Sequence, residues 1–209
     1  HIYCNPAKNT GGRYSGWETA EEYLSGHVRT KLALAQEAAK TGPDYERNVA
    51  ALLDNQPPRI GIEDIGFRIG TIYIEPEMFQ DFVYETFQMP EWQRHRPNMR
   101  GYSKEITVNY SPEMNQWKVT NSSGMSDVLS TETYGTKRLN AYELTELLLN
   151  QKRAVVNDYR ELPDGRTERV FNAKETILAR ECQDKIEQAF HDWVMADKDR
   201  IQVIEDRFN

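Results

Sequence analysis

Residues 154–195 read AVVNDYRELPDGRTERVFNAKETILARECQDKIEQAFHDWVM, and they contain both kinds of secondary structure that the chain combines. Pro163-Asp164-Gly165 is a strong turn signal, and the flanking residues 154–159 and 169–171 suit strands, so the first half predicts a β-hairpin. From about Ala173 the apolar residues follow a helical period, which predicts a long amphipathic helix. The apolar stripe of this helix is expected on Leu178, Cys182, Ile186, Phe190 and Trp193.

The rest of the chain repeats this combination of helices and hairpins. Thr19 and Glu22 have capping-box spacing and predict the start of one helix, or of two helices broken at Gly26. Further expected elements are a helix near 45–53, short extended segments over 60–74, a helix from Pro76 to Pro90, a hairpin over 106–119, a helix over 140–151 and a final short helix reaching Phe208. We therefore expect an α+β fold in which amphipathic helices at both ends pack on short antiparallel hairpins.

The distribution of loop-forming residues suggests the domain limits. Residues 1–18 are rich in Gly, Asn and Lys and lack an apolar period, which predicts a flexible lead-in. Residues 19–209 then form a single α+β accessory domain, which could divide again near residues 90–104. The chain opens on His1 rather than Met, and we interpret it as a piece of a longer polypeptide.

Composition excludes several classes of protein. The 209 residues carry a formal charge of −7, which argues against a chain that coats nucleic acid everywhere, so any such contact must be a local patch. Two cysteines, Cys4 and Cys182, exclude a disulfide framework and a cysteine-based zinc site. No apolar run approaches the roughly 18–20 residues of a membrane span, and no signal peptide is evident, so we expect a cytoplasmic protein without a membrane partner.

Motifs for catalysis or cofactor binding are missing from this sequence. It has no phosphate-binding loop, and Gly61, Gly66 and Gly70 are spaced differently from the dinucleotide fingerprint. The four histidines are scattered, and the paired carboxylates are what an acidic protein shows by chance. We predict no catalytic residue, no metal site and no cofactor in this chain.

One segment combines positive charge with aromatic residues, as nucleic-acid contacts do. Within residues 91–104 four basic residues outnumber the single acid Glu91. The candidate residues for nucleic-acid binding are Trp92, Arg94, Arg96, Arg100, Tyr102 and Lys104. The alternative is a solvated basic loop whose arginines pair with acids of the same protein. A second open choice concerns Phe190, Trp193 and Val194, which suit either the core or the docking of another domain.

Several short strings occur in an order that matches a known group of proteins. They include residues 23–29, 48–52 and 65–74 with Arg68 and Gly70, then Tyr134, Gly135, Thr136, Arg138 and Asn140, followed by 172–176, 190–194 and 207–209. This order resembles a segment of very large bacterial and phage proteins that join an adenine-specific DNA methyltransferase to a superfamily 2 helicase. In that family the segment follows the methyltransferase motifs and directly precedes the helicase motifs.

The resemblance implies a setting in DNA modification or defence evasion, because such proteins are carried by phages, plasmids and conjugative elements. It implies flanking methyltransferase and helicase domains that use S-adenosylmethionine and ATP. Their catalytic motifs are absent here, so we expect a noncatalytic module that joins the two halves and contacts DNA. One alternative is an enzyme fragment that supplies Arg68, Arg138 or Lys174 to a neighbouring active site. Another is a stand-alone protein that counters host defence by binding a protein partner.

Overall fold

The computed structural model describes residues 1–12, 14–41, 45–91, 94, 105–122, 127–163 and 165–209. The chain divides into two compact units, which are residues 1–59 (unit 1) and residues 60–209 (unit 2). Both helices and two-stranded antiparallel sheets occur among the described residues, so the prediction of an α+β fold with helices packed on short hairpins is confirmed.

The described residues of unit 1 form a small hairpin and three α-helices. Strand β1 (Ile2–Cys4) pairs antiparallel with β2 (Trp17–Thr19), and a 3-10 turn at Pro6–Lys8 lies between them. The helices are α1 (Ala20–Tyr23), α2 (Val28–Ala39) and α3 (Glu46–Asp54). The apolar side chains that they bury together are Tyr3, Tyr23, Val28, Ala35 and Leu52.

In unit 1 two predictions are wrong and a third is confirmed. The expected loop before Thr19 is wrong for β1 and β2, because Tyr3 turns inward and stacks on Tyr23 with ring centroids 5.3 Å apart. The division of the chain follows Arg59, whereas the sequence suggested a limit at residue 18. The capping box of Thr19 and Glu22 is confirmed, and the helix is indeed broken at Gly26, which has φ +70°.

Among its described residues, unit 2 has four α-helices, and each of them contributes to one apolar core. Its elements are α4 (Pro76–Thr86), β3 (Val108–Ser111), β4 (Gln116–Val119), α5 (Ala141–Leu149), β5 (Asn157–Glu161), β6 (Thr167–Phe171), α6 (Ala173–Met195) and α7 (Lys198–Phe208). A single turn of π-helix at Leu129–Thr133 precedes α5. The sheets are the antiparallel hairpins β3–β4 and β5–β6, as the turn signals predicted.

Aromatic packing joins the helices of unit 2. Phe190 of α6 packs against Phe79 and Phe82 of α4, with ring centroids 5.3 and 5.2 Å apart. Phe79 in turn meets Trp117 of β4 edge-on at 5.2 Å. Phe190 and Val194 are buried, so of the two interpretations of this stripe the core role is confirmed.

Two details of unit 2 differ from the predictions. Residues 60–74 form no strand; they contain a 3-10 turn at Ile62–Asp64 and further turns, because the buried Ile62, Ile65, Ile69 and Ile74 are three to five residues apart rather than two. The predicted stripe of α6 included Leu178, which is 40% exposed, while Ala179 faces the core instead. None of the described helices is long and apolar enough to cross a membrane.

Candidate functional site

Of the six candidate residues for nucleic-acid binding, Arg94 alone falls within the described residues. Its Nε donates to the carbonyl of Met89 at 2.9 Å, and its guanidinium lies 5.9 Å from the centre of the Tyr84 ring. Arg94 also forms a parallel bridge with Ile106. The structure therefore gives Arg94 contacts within unit 2. Trp92, Arg96, Arg100, Tyr102 and Lys104 lie outside the described residues.

Gly70 lies at the C-terminal end of α5 and brings the 66–74 loop against it. A Cβ at this position would stand 2.2 Å from the carbonyl oxygen of Leu149, and the backbone has φ +81°, which suits glycine alone. Gln151 also holds the 66–74 loop against the end of α5, since its Nε2 donates to the carbonyl of Ile69 at 2.8 Å. Arg68 is exposed beside this contact, and its backbone carbonyl accepts from Thr71 Oγ1 at 2.7 Å.

The second group of motif residues lies at the opposite end of α5. Gly135 is buried, and a Cβ there would stand 2.1 Å from the carbonyl oxygen of Ser130. Thr136 Oγ1 accepts from the backbone N–H groups of Arg138 and Leu139 at 3.2 and 3.0 Å. Asn140 then caps α5 through a capping box, because its side chain accepts from the Glu143 N–H while Glu143 returns to the Asn140 N–H. These contacts shape one tight turn.

The two groups of motif residues do not converge on one site. Helix α5 spans nine residues, so its ends are about 13 Å apart at 1.5 Å per residue. Tyr134, the remaining motif residue, packs its ring 5.4 Å from that of Phe87 in the core. The residues that carry the family resemblance thus support the backbone at both ends of a buried helix.

Arg138 connects the turn before α5 to the β5–β6 hairpin. Its Nη2 forms an ion pair with Asp158 Oδ1, and Asn172 Nδ2 donates to Asp158 Oδ2 at 2.8 Å. None of the residues of β5 and β6 is buried. Tyr159 and Phe171 are 72% and 57% exposed, so the hairpin presents aromatic side chains to its surroundings. An isolated two-stranded hairpin is marginally stable, and the contacts of Asp158 help to hold this one to unit 2.

A cavity of about 420 Å³ lies within unit 1, in the part of the chain that the sequence had indicated as a loop. Its walls come from the β1–β2 hairpin and the start of α3, and its larger polar and aromatic lining residues are Asn9, Trp17, Tyr45, Arg47 and Asn48. This volume falls within the range of roughly 300–1,000 Å³ that small-molecule sites occupy. The sequence signal that could have found it is the aromatic and amide content of residues 1–17, a stretch whose Gly, Asn and Lys content instead predicts a flexible lead-in.

Hydrogen bonds fix the polar groups of this cavity. Asn9 Nδ2 donates to the Tyr45 hydroxyl at 3.1 Å. Asn48 is buried, and its Nδ2 donates to the carbonyl of Cys4 at 2.6 Å and to the hydroxyl of Tyr23 at 3.1 Å. Within the described residues no donor reaches Asn48 Oδ1, so this oxygen is the polar atom that Asn48 can offer to the cavity that it lines.

The two units differ in charge. Residues 1–59 contain seven basic and seven acidic residues, whereas residues 60–209 carry the whole net charge of −7. Within unit 2, residues 91–104 are net +3. Unit 1, which is neutral overall, therefore does not repel an anionic partner, and the basic segment of residues 91–104 attracts one.

Burial shifts the pKa of titratable groups inside unit 2. Burial raises the pKa of the Cys182 thiol, whose Sγ donates to the carbonyl of Gly135 at 3.4 Å. Burial likewise raises the pKa of Tyr142 in α5. Among the described residues no group of three or more His, Cys, Asp or Glu side chains is arranged to hold a metal ion.

A comparison with known families finds one match. The model of a family described as a domain of unknown function (DUF8437) matches residues 68–209, which begin at the motif residue Arg68. No curated protein and no solved structure matches the chain.

Proposed function

The chain belongs to the DUF8437 family, and from that premise we propose that it is a noncatalytic module of a larger DNA-processing polypeptide. The module joins a DNA methyltransferase to a helicase and contacts DNA locally. The observation that carries this proposal is the placement of the motif residues. Gly70 and Gly135 accept close backbone contacts and Asn140 caps α5, so these residues build a scaffold and do not converge on a reaction centre.

The charge distribution supports a local DNA contact rather than a general one. Unit 2 is acidic over most of its length, and phosphate binding needs clustered Lys and Arg that release counterions. Residues 91–104 supply the basic cluster, with Trp92 and Tyr102 as candidates for stacking on bases. Arg94 anchors the start of this segment through Met89 and Tyr84, which leaves Arg96, Arg100 and Lys104 as the phosphate contacts of the proposal.

The exposed β5–β6 hairpin supports the linking role. Its strands bury no side chain within unit 2, and Tyr159 and Phe171 remain open to neighbouring domains. In the longer polypeptide such aromatic side chains are typical contacts between domains.

Fluorescence anisotropy with labelled duplex and single-stranded DNA over a salt series tests the DNA contact. Binding must weaken linearly in log salt, and the triple variant Arg96→Ala, Arg100→Ala, Lys104→Ala should bind less tightly with a flatter salt slope. The matched control replaces the exposed Lys137, Arg166 and Lys198 with Ala, which removes the same charge elsewhere in unit 2. No binding at low salt, or equal loss in both triple variants, would refute a contact through residues 91–104.

The enzyme-fragment alternative now rests on Arg68 and Lys174. Arg138 is already paired with Asp158, whereas Arg68 and Lys174 are exposed and their charged groups make no hydrogen bond within the described residues. If either residue completes a neighbouring active site, Arg68→Ala or Lys174→Ala in the longer polypeptide should lower turnover and leave the unfolding midpoint unchanged. Unaltered turnover in both variants would remove this alternative.

A further inference from the structure

The cavity of unit 1 has the chemistry of a ligand site, and it lies outside residues 68–209, which the family model covers. Trp17 lines it and is 51% exposed, although a tryptophan in a unit with so small a core would gain by being buried. The indole is thus held at the opening of the cavity with much of its ring accessible. A flat aromatic ligand is the natural partner of such a surface.

The charge of the cavity lining indicates which class of ligand would fit. Arg47 is the one charged side chain among the described residues that line the cavity, and no carboxylate accompanies it. Its guanidinium lies 5.1 Å from the centre of the Tyr3 ring, and its Nη2 is 3.0 Å from His1 Nδ1, so the head group is positioned by two contacts. A guanidinium keeps further donors free for a phosphate. The cavity therefore favours a ligand that joins an aromatic ring to an anionic group.

Asn48 indicates that the aromatic ring of the ligand should carry a hydrogen-bond donor. Its Nδ2 is occupied by the Cys4 carbonyl and the Tyr23 hydroxyl, and the remaining Oδ1 can only accept. Tyr45, whose hydroxyl already accepts from Asn9, borders the same space. An exocyclic amino group on a heterocycle would supply the donor that Oδ1 lacks.

We propose that this cavity binds a nucleotide whose base carries an exocyclic amino group. The base stacks on Trp17, its amino group donates to Asn48 Oδ1, and its phosphate meets Arg47. The same chemistry is offered by a free mononucleotide and by one nucleotide of a single-stranded DNA, and the experiment below separates these two sources. The site is independent of the DNA contact proposed for residues 91–104.

Isothermal titration calorimetry on the full chain tests the proposal with dAMP, dCMP and dTMP and with short homopolymers of the same nucleotides. We expect dAMP and dCMP to bind more tightly than dTMP, because the one ring donor of thymine stands between two carbonyl oxygens that would face Asn48 Oδ1. Equal affinity of mononucleotide and homopolymer would assign the site to free nucleotides. Binding of homopolymers alone would assign it to a DNA strand.

Variants of the cavity give the sharper test. Trp17→Ala should weaken binding about tenfold, since the base loses the aromatic side chain on which it stacks. Trp17→Phe keeps a ring and should restore most of the affinity, which separates loss of stacking from loss of folding. The matched control is Tyr14→Ala, which removes an aromatic side chain that is 82% exposed and does not line the cavity.

The phosphate contact is tested by comparing dAMP with deoxyadenosine. The natural chain should prefer dAMP, and Arg47→Gln should abolish that preference, whereas Lys40→Gln in the same unit should preserve it. The proposal is overturned if neither mononucleotides nor homopolymers bind, or if Trp17→Ala and Tyr14→Ala behave alike. Loss of DNA binding only in the Arg96, Arg100 and Lys104 variant would leave the DNA contact of unit 2 standing while the cavity fails.

Discussion

Unit 1 and unit 2 share a helix-capping motif, the capping box, but they differ in how deeply its first residue is buried. Each contains a capping box, at Thr19 in unit 1 and at Asn140 in unit 2, and Thr19 is exposed whereas Asn140 is 5% exposed. Among the described residues, unit 1 has a core of five buried apolar side chains, while unit 2 has an extended aromatic core. The difference indicates that unit 2 is the more rigidly packed unit.

We expect the largest effect on stability from a substitution at Gly135, where other backbone atoms of unit 2 approach closely. In Gly135→Ala the new Cβ would stand 2.1 Å from the Ser130 carbonyl oxygen and 2.7 Å from the Ala141 nitrogen. Overpacking costs about 1–3 kcal/mol, and contact with backbone on two sides places this change at or above the upper end of that range. Urea-induced unfolding followed by circular dichroism measures the loss.

Gly66 supplies the control for this substitution. It belongs to the same unit, and a Cβ there would meet nothing within 4 Å. Gly66→Ala should change the free energy of unfolding by less than about 0.5 kcal/mol, as substitutions without a structural cause do. Similar midpoints for the two variants would mean that the turn before α5 can relax, and the rigidity assigned to unit 2 would be mistaken.

The two capping boxes give an intermediate effect and sharpen the comparison directly. Asn140→Ala should cost about 1–2 kcal/mol and Thr19→Ala about 0.5–1 kcal/mol, within the measured range for helix caps. Asn140 also donates from Nδ2 to the Ser122 carbonyl at 2.7 Å, and that buried acceptor loses its partner in the variant. Unfolding midpoints of both variants measure the difference. Equal losses would show that burial does not separate the two caps.

Much of the fold was predictable because it rests on local signals. The capping residues, Pro76 at the start of α4 and the turn signals of both unit 2 hairpins act within a few residues, so their pattern is visible in the sequence. Residues 60–74 were less predictable, because no single period covers them. Ile62, Ile65 and Ile69 have helical spacing, whereas Ile72 and Ile74 are two residues apart as in a strand. Contacts with residues far away in the sequence help to hold the turns, as where Gly70 lies against Leu149.

The candidate site was less predictable than the fold. Arg94 was singled out for its charge, but its contacts with Met89 and Tyr84 depend on packing that no local pattern reveals. The cavity of unit 1 was not predictable from local patterns, because it brings Trp17 together with Asn48 from segments separated by α1 and α2. Gly70, Gly135 and Asn140 were recognised as a motif, and their structural roles became apparent only from the backbone contacts.

The smallest expected effect concerns the ion pair of unit 1 and its dependence on pH. Lys8 Nζ donates to Glu18 Oε1 at 2.5 Å, and this bond, assisted by Asn5, holds the pKa of Glu18 below its ordinary value of 4.5. A carboxyl group with a lowered pKa stabilises the folded state above its unfolded pKa, and that contribution is lost as pH falls through the folded pKa.

Lys8→Ala should therefore raise the pKa of Glu18 toward 4.5 and weaken the dependence of unit 1 stability on pH below that value. An NMR titration of the Glu18 carboxyl measures the midpoint, and Lys40→Ala, which breaks the exposed pair with Glu37, should leave it unchanged. Because the Lys8 side chain is 67% exposed, the shift should shrink as salt is added. A midpoint that changes with neither Lys8 nor salt would assign the lowered pKa to the hydrogen bond that Asn5 Nδ2 donates to Glu18 Oε2.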